Sequence, residues 1–253
     1  MASPKKYMVI ACEVLFREIC LCAAQCGNII DISFMEKGLH DIGEKRMYKA
    51  LQQEIDKVET EKYDAILLCY GLCNNGIRNI HARLPVVVPR AHDCISLLLG
   101  SKEKYADYFF KNPGTFFLSS GWIERNTQPD KAEDSVPGQL GMDKTYEEYA
   151  ELYGEENAEY LMEFFGNWLV HYKKLAFINN QVGDTAYFRE QAKGMAAAQQ
   201  WEFEEIGGDT NLIFRLLNGD WDPGAFLVLS PGSKIIPANN ENIITCAAME
   251  DGL

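Results

Sequence analysis

The sequence predicts an α/β fold of two lobes, each built on a parallel sheet. Three observations predict it. The apolar runs in "YDAILLCYGLC" and "RLPVVVPRAHDC" lack polar alternation, as strands buried on both faces of a parallel sheet do. Segments with apolar residues at helical spacing separate such runs. The order strand, helix, strand, helix, strand opens the chain and returns after residue 173. These observations give two Rossmann-like lobes, 1–128 and 174–253, with an acidic helical insertion at 129–173 and a cleft between the lobes.

The elements follow in order. "KYMVIACEVL" reads as the first strand, "FREICLCAAQCG" as a short helix closed by Gly27, and "NIIDISFMEKGLH" as a strand running into a loop. Ile42, Met47, Leu51, Ile55 and Val58 then mark one face of a helix. "YDAILLCYGLC" and "RLPVVVPRAHDC" are the third and fourth strands, the latter turning straight into the apolar helix pattern of "CISLLLGSK". Past Gly121 a polar stretch rich in turn formers, "ERNTQPDKAEDSVPGQLGMD", ends the pattern. Tyr146, Tyr149, Tyr153, Tyr160, Phe164, Trp168 and Tyr172 then recur at helical spacing, interrupted by Gly154, and read as the packing face of a helical hairpin or kinked helix. "KLAFINN" resumes the strands, followed by a helix capped by Asp184, the strand "WEFEEIG", a helix capped by Asp209 and stopped by Gly219, and the strand "AFLVLSPGSKII".

Composition narrows the function classes. A formal charge of -13 argues against a nucleic-acid surface. Most of the excess sits between Pro129 and Phe165, where eleven acidic residues face two lysines, the pattern of a solvated helical face or of a surface for a basic partner. No window approaches the roughly 20 apolar residues of a membrane span. "MASPKKYMVIACEV" carries no cleavable signal pattern, so a cytoplasmic protein is expected. Its eight cysteines are then reduced thiols, some of them core residues and some ligands, rather than a disulfide framework.

Ligands of open parallel sheets bind outside the carboxyl ends of the strands, so the residues that close each apolar run bear on function. Those ends read Cys12-Glu13, His40-Asp41, Cys69-Tyr-Gly-Leu-Cys73 and Arg90-Ala-His92-Asp93-Cys94. Each carries a cysteine or histidine. Thiolate and imidazole together suit zinc, or an iron–sulfur cluster where three thiolates meet. Cys12, Cys73, His92 and Cys94 are the expected metal ligands, with Cys69, Cys20, Cys22 and Cys26 assigned to core or surface. His40 and Glu13 are candidate acid/base groups, and Arg90 is placed to hold a carboxylate or phosphate. Asp93 and Glu124 are candidate partners for an imidazole or substrate, and the turn "LSPGS" could offer N–H groups to an anion. No glycine loop has dinucleotide or P-loop spacing, and no Gly-x-Ser-x-Gly elbow occurs.

The phrases "ACEVLFREI", "YGLCNNG", "LPVVVPRAHDCISLLLGSK", "PGTFFLSSGWIE" and, more loosely, "GDTNLIFRLLNGDWDPGAFLVLSPG" resemble the DUF1638 family, a domain of unknown function found in bacteria and methanogenic archaea. The resemblance implies no activity, but members often occur near corrinoid-dependent methyltransferase systems. In that setting His92-Asp93-Cys94 is similar to the His-x-Cys half of the zinc motif of corrinoid:thiol methyltransferases. Those enzymes place their remaining cysteine downstream, whereas here only Cys246 follows Cys94. The expectation is a zinc protein that activates a small thiol or anionic substrate, with a corrinoid protein as partner. Its alternatives are an enzyme with a [4Fe-4S] cluster on Cys12, Cys73 and Cys94 that leaves one iron open, and a non-catalytic protein that binds or delivers a metal, thiol or corrinoid.

Overall fold

The computed structural model describes residues 3–39, 43–125, 146–155, 157 and 171–249. β1 (Lys6–Cys12) ends in a 3-10 turn, Glu13–Leu15, and passes into α1 (Phe16–Gln25). β2 (Ile29–Met35), α2 (Glu44–Asp56), β3 (Ala65–Cys69) and β4 (Val86–Pro89) follow, then the paired helices α3 (Cys94–Leu99) and α4 (Lys102–Lys111). Next come β5 (Thr115–Ser119), α5 (Ser120–Glu124) and α6 (Tyr146–Tyr153). β6 (Lys174–Asn179), α7 (Thr185–Ala198), β7 (Glu202–Gly207) and α8 (Asn211–Asn218) lead to β8 (Phe226–Leu229), β9 (Ser233–Pro237) and β10 (Ile244–Ala248).

The α/β class is as the apolar runs predict. β1 to β4 are parallel within a five-stranded sheet of order β2-β1-β3-β4-β8, and β5-β6-β7 form a second, all-parallel sheet. Alternation along the strands gives the first sheet two cores. Val9, Ala11, Leu67, Cys69 and Val87 face α1, α3 and α8, while Ile10, Cys12, Ile66, Leu68 and Val88 face α2 through Met47, Leu51 and Ile55. Across the second sheet, Leu118, Leu175 and Phe177 pack on Phe188, Ala192 and Ala196 of α7.

The sheets do not divide where the expected boundaries at 128 and 174 fall. β5 pairs with β6, so it belongs to the second sheet. β8 pairs antiparallel with β4, closing the first sheet with the chain's last quarter. α8 returns as well, burying Leu212, Ile213, Leu216 and Leu217 in the core that holds α1. The physical reason is edge and face coverage: β4 needs a partner for its outer edge, and α1 alone leaves part of the sheet's face bare. Ile178 of β6 is buried in that same core, so the two sheets share apolar contact.

Three elements differ locally. "AFLVLSPGSKII" is two strands, because Pro231 and Gly232, the latter at φ 83°, make a turn between them. The helix pattern of "CISLLLGSK" ends at Gly100 in the left-handed region, after which the Ser101 hydroxyl accepts from Lys104 N at 3.0 Å and starts α4. Asp184 caps α7 as expected, accepting from Tyr187 N at 3.2 Å, whereas the residue before α8 is Thr210 and Asp209 accepts from Asn211 N at 2.9 Å. Of the acidic segment, α6 is helical. Tyr160, Phe164 and Trp168 lie outside the described residues. Among the described residues no helix is long and apolar enough to cross a membrane.

Candidate functional site at the strand ends

From β1 the chain moves to β2 on one side and then to β3 on the other, so the sheet's order reverses between β1 and β3. A crevice opens outside the carboxyl ends of the two strands at such a point. Cys12 is the last residue of β1 and Cys69 the last of β3. A cavity of about 480 Å³ lies there, lined by Cys12, Cys69, Cys73, His92, Asp93 and Cys94 together with Leu39, Tyr70, Asn74, Asn75, Ile95 and Trp122. Trp122 comes from α5, directly after the first strand of the second sheet, and contributes one wall.

Two loops carry most of the chemistry, and the backbone zips them together. Leu72 N donates to Ala91 O and Cys73 N to His92 O, both at 2.8 Å, prolonging the contact of β3 with β4 past the end of the ladder. Gly71 permits this approach: a Cβ there would lie 2.5 Å from Asp93 N. Cys73, Asn74 and Asn75 then take φ of 45°, 52° and 65°, three left-handed non-glycine residues in succession, closed by Gly76 N donating to Cys73 O at 2.9 Å. Each such residue costs on the order of 1 kcal/mol, and conformations of this kind concentrate where function holds them. On the facing loop Asp93 caps α3, its Oδ1 accepting from Ile95 N at 3.1 Å and Ser96 N at 3.2 Å, while the Tyr105 hydroxyl donates to the same carboxylate. The cap fixes the first helical residue, Cys94, opposite Cys73.

Burial pushes the Cys12 thiol up to about 11. Burial and the Asp93 carboxylate raise Cys73, and burial with Cys73 and Cys12 nearby raises Cys94. At neutral pH the pocket wall therefore carries neutral thiols. Tyr70 stands among them. Its hydroxyl is buried beside the Cys12 thiol, with which it hydrogen-bonds, and burial raises its pKa. The sequence reading placed Tyr70 simply at a strand end. The signal that could have found it is the single polar group between two cysteines closing an apolar run.

All four residues expected as metal ligands thus line one cavity, and His92 is exposed at its mouth. Among the described residues, however, no three His, Cys, Asp or Glu side chains converge closely enough to hold a metal ion. The thiols line the wall.

Other expected residues sit elsewhere. Glu13 turns away with the 3-10 turn, accepting from Lys37 N at 2.8 Å and facing Arg125 at 3.9 Å, so it serves the loop after β2 and not the cavity. Arg90 is spent on the C-terminal segment: Nε donates to Pro223 O at 2.8 Å, and Nη1 to the carbonyls of Asn242 and Ile244. Three of the fork's five N–H donors are taken in this way, and Arg90 does not line the cavity. Glu124 receives a two-pronged pair from Arg17, at 2.6 and 3.1 Å. "LSPGS" falls at the opposite edge of the sheet, because β8 runs antiparallel and Leu229 pairs with Val86 at the start of β4. His40 lies outside the described residues.

Comparison with known proteins finds no match among curated proteins or solved structures. A family model described as "Protein of unknown function (DUF1638)" matches residues 34–217, which include Cys73, His92 and Cys94 but not Cys12. With most of its length so matched, the chain belongs to the DUF1638 family.

Proposed function

We propose that the cavity at the ends of β1, β3 and β4 binds a soft metal ion, zinc in the first instance, through Cys12, Cys73, Cys94 and His92, and that the bound metal activates a thiol or another small substrate. One observation carries the reading: three cysteines and a histidine from three separate strand ends, distant in sequence, line a single cavity at the sheet's switch point. The donor set fits. Soft thiolates and an imidazole favour zinc over hard cations, and the four side chains would have to close on the ion from the cavity wall. When bound, zinc supplies a Lewis acid that lowers the pKa of a coordinated thiol or water.

The chain's own residues would do the rest. The zipped loops hold Cys73 and Cys94 across from each other, Trp122 and Leu39 exclude water, and the Tyr70 hydroxyl donates a hydrogen bond to the substrate's sulfur or oxygen. With Glu13 and Asp93 both engaged in structural hydrogen bonds, the reading is one of metal activation rather than paired carboxylate catalysis. A methyl group from a corrinoid partner or small donor is the electrophile we assign to such a nucleophile.

The test is elemental analysis and an absorption spectrum of protein purified without oxygen. The expected result is near-stoichiometric zinc in a colourless sample, lost in the double variant Cys73→Ser, Cys94→Ser while circular dichroism stays unchanged. Metal retained by the double variant, or absent from the wild type, overturns the site. Brown protein with several irons per chain replaces zinc with a cluster on the three cysteines. Methylation of a thiol by methylcobalamin, lost with the metal, makes the protein an enzyme. Metal without transfer makes it a binding or delivery protein.

A further inference from the structure

A second cavity adjoins the first. It is a groove of about 790 Å³ lined by Tyr105, Ala106, Phe109, Phe110 and Pro113 with Ile243, and its lining includes His92, which also lines the thiol cavity. The two are joined a second time through the side chains beneath: Tyr105 forms the groove's wall and hydrogen-bonds Asp93, which lines the thiol cavity.

The helix behind the groove is unusual for its composition. α4 buries none of its residues, yet it displays Phe109 at 54% and Phe110 at 87% exposure. Two adjacent exposed phenylalanines are more than a scattered apolar surface residue, and Phe109 and Phe110 line a groove that adjoins the thiol cavity at His92. The groove's one lysine is already engaged. The Lys102 ammonium donates to Glu241 O at 2.6 Å and pairs with Glu103 at 3.9 Å. What this groove offers a ligand is mainly apolar area, with two carboxylates, Glu103 and Glu241, against the single ammonium of Lys102 and so no free cation for an anion.

We propose that the two cavities form one bipartite ligand site: the substrate is an amphipathic small molecule whose sulfur-bearing head enters the thiol cavity and whose uncharged alkyl or aromatic body lies along α4 on Tyr105, Phe109 and Phe110, with His92 at the junction. The proposal rests on the metal–thiol reading for its head and on the groove for its body, and the two are separable by experiment.

The experiment is isothermal titration of the full-length protein, as purified without oxygen, with ethanethiol, butanethiol and hexanethiol, and in parallel with ethanol, butanol and hexanol. Burying one methylene in an apolar groove strengthens binding about fourfold. The thiols should therefore bind in order of chain length, with a gain approaching that factor for each methylene beyond the head. Phe110→Ser and Phe109→Ser, both at exposed positions that the fold tolerates, should flatten the series while leaving ethanethiol binding unchanged. A series flat in the wild type, or a slope that survives both substitutions, overturns the bipartite site and leaves the aromatic face to a protein-sized partner. Failure of ethanethiol to bind while hexanol binds in a Phe110-dependent way overturns the metal–thiol reading and retains the groove as an apolar ligand site.

Discussion

Glu18 sits on α1 at 1% exposure, with one carboxylate oxygen accepting from Asn180 Nδ2 at 3.3 Å and the other without a partner. Burial raises its pKa above the usual carboxylate value, the neighbouring Arg17 opposing and Glu124 reinforcing the shift. The folded state therefore holds this proton to higher pH than the unfolded chain does, and the difference costs stability as pH rises from about 4.5 through the folded pKa. Glu18→Gln keeps the acceptor and removes the charge. It should raise the denaturant midpoint at pH 8 and erase that part of the pH dependence, with little change at pH 4. Gly71 gives the second prediction at this scale. Gly71→Ala places a methyl group against the main chain of Asp93, with no flexible side chain to yield. A loss of roughly 1–3 kcal/mol is expected in denaturant unfolding, together with loss of metal binding as the two loops part. Residue identity at the strand ends was legible, since an apolar run that stops at a cysteine marks both the end and the group. Side-chain direction was not. Glu13 and Arg90 follow strand ends as closely as Cys12 and His92 do, but a 3-10 turn carries the first away and three carbonyls of the C-terminal segment claim the second.

Among the elements, α3 shows how a short helix can be held by its first residue. Six residues are too few to be stable alone, so its position depends on the Asp93 cap and on Leu97, Leu98 and Leu99 in the core. Asp93→Ala should cost about 1 kcal/mol for the cap. It should also release Tyr105 and weaken zinc binding at Cys94, whereas Asp93→Asn, which still accepts from both amides, should recover most of the stability. Denaturant unfolding and metal titration of the two variants check this. The element pattern was legible where apolar runs were long. β5 escaped it: "TFFLS" is a run of only five residues, and the helix after it, α5, is only five residues long, so neither shows a sustained period. The apolar spacing of α8 was plain in Leu212, Ile213, Leu216 and Leu217, but spacing names a face without naming what covers it.

At the scale of the whole molecule, the first sheet is completed from far along the chain. Its class was legible because strands and helices alternate, and its boundaries were not, because sequence order places β5 with its predecessors and β8 with its successors while the sheets exchange them. A fragment of residues 1–128, a complete lobe by sequence alone, lacks α8 over Ile19 and Cys22 and lacks the partner of β4. It should fail to give dispersed amide resonances and should associate through the bare edge of β4. Residues 1–128 mixed with residues 174–253 should recover part of the fold if the exchange of strands is the cause.

That exchange also sets a timetable. On the ribosome β4 is finished at Pro89, yet its neighbour begins only at Phe226, and chain elongation at about 5–20 residues per second separates the two by on the order of ten seconds. Throughout that interval Val86, Val87 and Val88 have no outer strand and the nascent sheet no α8. The thiols of Cys12, Cys73 and Cys94 spend the same interval in a half-built cavity, open to oxidants before α8 and β8 complete the sheet.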